Sequence, residues 1–256
     1  MSSFIDTHCH IHFDDYSLDA GEVLRDAQEA GVSKMLSVGC TLEDSRSGVD
    51  FAKTHDGVWV SIGIHPHGAH HYVSDKDALR AFEELADDTA VTAIGECGLD
   101  FYYNHSPKSS QISLLEFQLE LAQKKNLPVI FHVRDAFEDF FPILDNFSGI
   151  KGVVHSFTAG KNVLDKVLSR NLYVGLNGIL TFTKDNAQLD MAKAVPLSSM
   201  VLETDAPFLT PVPYRGTICQ PKHVVETARF LCGVRGESID ELAKKTTQNA
   251  EKLFGI

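Results

Sequence analysis

The chain has 256 residues, 43% of them hydrophobic and 23% charged, the balance of an ordinary globular protein able to bury a substantial core. Its 35 acidic against 23 basic residues leave a formal charge of −12, which excludes a broad basic surface gripping nucleic acid through its phosphates but not a local or metal-based grip. No apolar run is long enough to cross a membrane, no basic segment precedes an apolar stretch at the N-terminus, and five scattered cysteines without a C-x-x-C pair fit reduced thiols in the cytoplasm.

In chain order, short β-rich apolar runs alternate with amphipathic segments. The pattern predicts strands over Phe4–Cys9, Lys34–Gly39, Val58–His65, Val91–Gly95, Pro128–Val133, Gly152–His155, Leu172–Leu176 and Met200–Glu203. Between them it predicts helices over Leu18–Ala30, Asp44–Thr54, Asp75–Ala86, Ser109–Lys125 and Lys161–Arg170, with Lys222–Cys232 and Ser238–Leu253 closing the chain. Eight strand–helix repeats predict an α/β fold of the TIM-type (β/α)8 barrel, regular or distorted. A doubly wound sheet would open on a glycine-rich turn, where this chain has His8-Cys9-His10. No linker or composition shift divides the chain, so residues 1–256 are expected to form a single domain.

A parallel barrel carries its chemistry at the carboxyl ends of its strands. On the first strand Asp6, His8 and His10 share one face, and two imidazoles with a carboxylate facing a core are costly unless a partner such as a divalent metal pairs them. The third strand ends in Gly63-Ile64-His65-Pro66-His67, and the fourth leads through Glu96, flanked by Gly95 and Gly98, to Asp100. The fifth ends in His132-Val133-Arg134-Asp135, the sixth in His155-Ser156, and the eighth in Glu203-Thr204-Asp205-Ala206-Pro207. Singly, each has an ordinary structural role: a hydrogen-bonded core histidine for His132 or His155, a helix or turn cap for Glu96 or Asp205. Together they need only one explanation, a shared metal centre. His8, His10, Glu96, His132, His155 and Asp205 offer four imidazoles and two carboxylates, more than one tetrahedral ion with an open position uses, and a carboxylate such as Glu96 can bridge two ions.

The runs Asp6-Thr-His-Cys-His10, Gly63-Ile-His-Pro-His67, Gly95-Glu-Cys-Gly-Leu-Asp100, Leu127-Pro-Val-Ile-Phe-His132, Val154-His-Ser-Phe157 and Leu202-Glu-Thr-Asp-Ala-Pro207 resemble the TatD family of metal-dependent deoxyribonucleases, within the wider amidohydrolase-like barrels. The resemblance extends from residue 4 to the final Gln248-Asn249-Ala-Glu-Lys-Leu-Phe254. It implies one ion on His8, His10 and Asp205, a second on His132 and His155, and Glu96 bridging them. It also implies a cytoplasmic hydrolase that acts on DNA, including removal of nucleotides from 3′ ends. The chain departs from the family at Ile11-His12, where Leu-Asp or Phe-Asp is common, and after the eighth strand. There it reads Pro213-Tyr214-Arg215-Gly216-Thr217-Ile218-Cys219-Gln220-Pro221 against a frequent Pro-Tyr-Arg-Gly-Lys-Arg-Asn-Glu-Pro. Tyr214 and Arg215 survive as candidates for gripping substrate, and the departure at 217–220 bears on substrate choice or affinity if those positions grip a phosphate backbone.

The expected reaction is hydrolysis of a phosphodiester by a water activated on two divalent ions, with Asp205 as general base and Arg134 or His65 as donors to the phosphoryl oxygens. Glu203 would orient a ligand or the water, or sit in a core ion pair. Asp6, Asp100 and Asp135 would fix histidine tautomers. The imidazole-rich donors favour zinc, manganese or iron, whereas the family is described as magnesium-dependent. A different bond in the same barrel, an ester, lactone or amide of a small molecule, is the alternative. A non-catalytic scaffold would have lost a ligand, and all six are present.

Overall fold

The computed structural model describes residues 3–256. Eight strands lie among them: β1 (Phe4–Cys9), β2 (Val32–Val38), β3 (Val58–Ile62), β4 (Val91–Asp100), β5 (Val129–Arg134), β6 (Gly152–Val154), β7 (Tyr173–Leu176) and β8 (Met200–Leu202). The α-helices are α1 (Ala20–Glu29), α2 (Leu42–Thr54), α3 (Ala69–Tyr72), α4 (Lys76–Leu85), α5 (Lys108–Lys125), α6 (Phe137–Leu144), α7 (Lys161–Leu168), α8 (Asn186–Ala194), α9 (Val224–Arg235) and α10 (Ile239–Phe254). The strands follow one another in chain order, and helices intervene between them, the topology of a TIM-type (β/α)8 barrel. Two compact units are distinguished, one of Met1–Ser37 with Ser156–Ile256 and one of Val38–His155. Among the described residues no helix is long and apolar enough to cross a membrane.

In the first unit β1 is buried along its whole length and pairs in parallel with β2, Asp6 opposite Met35 and Cys9 opposite Ser37. Helix α10 backs β1 and β8. Its Ser238 cap accepts the Glu241 N–H, and Leu242, Ala243, Thr246, Asn249, Ala250 and Leu253 fall on one buried stripe at helical spacing. Asn249 spends its amide on the Leu197 and Met200 carbonyls, at 2.8 and 2.7 Å, where β8 begins. Burying this stripe is what holds β1 and β8 at fixed depth.

In the second unit β4 is the longest strand, and its ladder to β5 resumes after an irregularity between Ile94 and Cys97 to pair Gly98 with His132 and Asp100 with Arg134. This extends β4 beyond the predicted end at Gly95. Gly98 makes the extension possible: its φ is +151°, and a Cβ there would stand 1.9 Å from the His132 carbonyl oxygen. Gly98→Ala is therefore expected to lose at least about 3 kcal/mol of stability, from the clash and the backbone strain together, read as a lowered urea midpoint. Two buried glutamines of α5 satisfy the strand ends. Gln118 takes the Ile64 N–H at 2.8 Å and donates to the Ile64 carbonyl at 3.1 Å; Gln111 does the same for Asp100 at 2.8 and 3.1 Å. Seven residues apart, they face the same side of the helix.

Helices α3, α6 and α8 fall outside the predicted set. In α6, Phe140, Phe141, Ile143 and Leu144 are all buried and Pro142 lies inside the helix, so neither a clean amphipathic period nor ordinary helix composition announces it.

Candidate metal-binding clusters

In the first unit the segment after β8 runs on beside β1. The Asp205 N–H donates to the His8 carbonyl at 2.8 Å and the His10 N–H to the Ala206 carbonyl at 2.6 Å. Asp6 fastens the two chains from below: its carboxylate accepts the Thr204 N–H (2.9 Å), the Thr204 hydroxyl (2.6 Å) and the His8 N–H (3.3 Å). Burial pushes the Asp6 carboxyl up to about 8, against the opposing pull of the bonds from Thr204. Asp6 thus acts on backbone and hydroxyl groups rather than on a histidine ring, its carboxylate meeting Thr204 across the gap and the His8 N–H along β1.

With the backbone pinned, Asp205 adopts a left-handed conformation, φ +62°, which an aspartate tolerates better than most residues. Its Oδ1 lies 3.6 Å from His8 Nε2 and 3.4 Å from His10 Nε2, and the two nitrogens are 3.2 Å apart. Donors held at about 2.0–2.2 Å by one tetrahedral ion stand roughly 3.3–3.6 Å from each other. The three atoms therefore outline one face of a coordination sphere. Both imidazoles are buried, and His10 stacks on Phe13 with ring centroids 4.6 Å apart, which fixes its plane.

In the second unit Glu96 gathers the histidines. Its Oε1 lies 2.6 Å from His132 Nδ1, 2.7 Å from His155 Nε2 and 3.6 Å from His65 Nε2. His65, Glu96 and His132 can together hold a metal ion. The other ring nitrogen of His132, Nε2, is 3.1 Å from Asp100 Oδ2, which also takes His67 Nε2 at 2.9 Å. This is the carboxylate–histidine arrangement that orients metal-ligating imidazoles. Burial alone would lower the affinity of His132 for protons, but hydrogen bonds to Asp100 and Glu96 outweigh it and raise its pKa to about 9. Burial likewise opposes ionisation of Glu96 and Asp100, yet both carboxyls sit well below their usual range, Glu96 through His155, His65 and His132, Asp100 through His132, the Tyr103 N–H and His67. Burial, and then the neighbouring His132, hold His65 well below the ordinary histidine value. The positive charge that a proton supplies at His132 is the charge a divalent ion would supply there, with release of that proton. Charge and donor type fit a metal.

The remaining predicted residues are distributed as follows. Glu203 is fully buried; its Oε1 accepts the Ser156 N–H at 2.5 Å and the Asn177 amide at 3.5 Å, and Gly175 leaves room for it, since a Cβ there would meet Oε2 at 2.2 Å. Arg134 lies over Tyr102 and Tyr103. Tyr214 stacks on His223 at 4.9 Å, and Arg215 donates to the Thr210 carbonyl at 2.7 Å with its guanidinium 3.8 Å from the Phe182 centroid. Asp135 is exposed and makes no hydrogen bond to a histidine among the described residues. His65 joins the Glu96 group. His67, Gln111, Gln118 and Asn177 were not among the predicted site residues. Of these, His67 lay in the His65-Pro66-His67 run, and the two glutamines interrupt an apolar helical face.

Asp100→Asn is expected to cut hydrolytic efficiency or metal affinity roughly 10- to 100-fold, because the amide cannot match the charge that holds His132. Zinc titration alongside kcat/KM reads both.

Imidazole–carboxylate clusters built from the strand ends of a (β/α)8 topology define a metal-dependent hydrolase. Within that class the kinship is specific. Residues 5–255 match the family described as TatD related DNase, and the chain belongs to the TatD family. It is 35% identical over 257 residues to the metal-dependent hydrolase YcfH of Escherichia coli K12, spanning 98% of this chain and 96% of that protein. It is 34% identical over 252 residues to the protein of Erwinia amylovora named 3'-5' ssDNA/RNA exonuclease TatD, spanning 94% of this chain and 95% of that one. The crystal structure of YJJV, a TatD homolog from Escherichia coli K12, matches with a TM-score of 0.92 at 28% identity, over 99% of this chain and 98% of that one.

Proposed function

We propose that this hydrolase is a nuclease that cleaves phosphodiester bonds of DNA, removing nucleotides from a 3′ end, and that it uses two divalent ions. His8, His10 and Asp205 hold one ion; Glu96, His132 and His155 hold the other. The observation that carries the reading is the convergence of imidazole and carboxylate donors in each cluster: His8, His10 and Asp205 lie 3.2–3.6 Å apart, and Glu96 gathers His132 and His155 within 2.6–3.3 Å. Phosphodiester chemistry is supported by the family match and by the exonuclease name of the Erwinia protein. The donor set favours zinc or manganese over magnesium. No disulfide joins the five cysteines among the described residues, which supports a reducing cytoplasmic setting.

Divalent ions supply Lewis-acid stabilisation and lower the pKa of water toward neutrality. The chain's own residues do the rest. Asp205 accepts the proton of the attacking water, His132 is held in one orientation by Asp100, and Arg134 donates to a phosphate oxygen. Glu203 holds the Ser156 and Asn177 backbone and amide groups, keeping the segment that follows His155 in place.

Digestion of end-labelled single- and double-stranded DNA, with manganese or zinc added to stripped protein, tests the proposal. A metal-dependent ladder of products shortened from the 3′ end is expected. Turnover of lactones or amides with no attack on either DNA would replace this reading with the small-molecule alternative.

A further inference from the structure

One thiol of the chain faces a metal-binding cluster. Cys9, Cys97 and Cys219 are buried, and Cys9 donates to the Leu36 carbonyl at 3.4 Å. Cys40 is half-buried in the turn between β2 and α2, and its Sγ lies 3.9 Å from Glu96 Oε2. As a hydrogen bond that contact is weak, because a thiol is a poor donor. It is close to what one shared ion imposes. A thiolate and a carboxylate oxygen on a tetrahedral ion, bound at about 2.3 and 2.1 Å, stand roughly 3.6 Å apart.

The turn holds the thiol in place. The Cys40 N–H donates to Asp44 Oδ2 at 2.6 Å, its carbonyl accepts the His65 N–H at 2.9 Å, and the Gly39 carbonyl accepts the Glu96 N–H at 3.0 Å. Gly39 is pressed against α2: a Cβ there would meet Ser45 Oγ at 2.4 Å. That same hydroxyl bonds the N–H and the carbonyl of Gly63, at 3.2 and 3.3 Å. The backbones that carry Cys40, His65 and Glu96 are therefore tied directly to one another. The two oxygens of Glu96 then divide their neighbours by chemistry. Oε1 meets the nitrogens of His132, His155 and His65, and Oε2 meets the sulfur.

We infer that Cys40 is a fourth donor, a thiolate, to the ion of the Glu96, His132 and His155 group, and that it makes zinc the ion this group selects. The inference rests on the metal reading above. On binding, the thiol proton passes to water and a sulfur–metal bond takes its place. Thiolate suits zinc, whereas manganese and magnesium favour oxygen donors. Four donors also close the group, while His8, His10 and Asp205 number three and leave a position for water.

Cobalt(II) added to stripped protein reads the sulfur bond without recourse to activity. Wild type should show visible ligand-field bands together with a near-ultraviolet sulfur-to-cobalt charge-transfer band. Cys40→Ser keeps the size of the side chain and a hydroxyl for Glu96. It should retain ligand-field bands, lose the charge-transfer band, and bind zinc at least roughly 10-fold more weakly, with manganese affinity nearly unchanged. In the wild-type chain, zinc should protect Cys40 from iodoacetamide, while half-buried Cys232 reacts equally with and without it. Cobalt-loaded wild type without a charge-transfer band, a Cys40→Ser variant that keeps the band, or a Cys40 alkylated as fast with zinc as without overturns the thiolate and leaves the metal reading standing. Wild type that takes up neither cobalt nor zinc overturns both.

Discussion

Removal of divalent metal should abolish hydrolysis, by roughly three orders of magnitude or more, and zinc or manganese should restore it. The size follows from the charge at stake. Stabilising the charge that develops on a phosphoryl group by metal is worth several kcal/mol, and about 4 kcal/mol is already roughly a thousandfold in rate. The imidazoles of His132, His155 and His65 lie 2.6, 2.7 and 3.6 Å from Glu96, where an ion's charge would be held. His132→Ala should reproduce most of the loss without a chelator. It deletes a donor 2.6 Å from Glu96 and 3.3 Å from His155 and leaves Asp100 with one histidine fewer. The same metal should stabilise the fold, because an ion bound only by the native state adds about 4 kcal/mol at a thousand times its Kd. Melting with and without chelator, followed beside activity, separates the two effects: chelated protein should melt lower yet remain folded at room temperature.

Asp205→Asn is the second large effect expected, a fall in kcat of roughly 10²- to 10⁴-fold. Asparagine keeps the shape, tolerates φ near +62°, and preserves the Asp205 N–H bond to the His8 carbonyl, so the local backbone should stand. It cannot accept a proton, and it offers a weaker donor to an ion beside His8 and His10. Loss of kcat exceeding the loss of metal affinity is the signature of the base. Equal losses in both would reduce Asp205 to a ligand.

The period-2 row on the first strand was legible because two imidazoles on a buried strand have few inexpensive explanations, and the structure sets His8 and His10 with their Nε2 atoms 3.2 Å apart. The strands were legible for the same reason, as apolar runs punctuated by glycine. Other features were written in terms that local pattern does not carry. The carboxylate of Asp6 reaches Thr204, 198 positions away, and such a contact leaves no trace in spacing. The continuation of β4 past Gly95 depends on the space that Gly98 leaves for the His132 carbonyl, a property of the neighbouring strand. His65 and His67 looked alike in sequence, yet His65 turns to Glu96 and His67 to Asp100.

The stretch after β8 is braced from within. Arg215 is occupied by the Thr210 carbonyl and the face of Phe182, and Tyr214 rests on His223. His223 is kept neutral by burial and by the charge of Lys222, with its pKa lowered to about 4, and its Nδ1 accepts the Gln220 N–H at 3.1 Å. Thr217 binds the Tyr214 carbonyl through its hydroxyl at 2.8 Å, and its own carbonyl accepts the Thr210 hydroxyl at 2.6 Å. Residues 217–220 thus begin, in this chain, with a residue that braces the loop.

Metal content per chain, measured by mass spectrometry on wild type, His8→Ala and His132→Ala purified in parallel, tests the central claim most directly. The account predicts two equivalents in the wild type, with about one lost in each variant. Wild-type protein that binds no divalent ion, or variants that keep the full wild-type content, would contradict it.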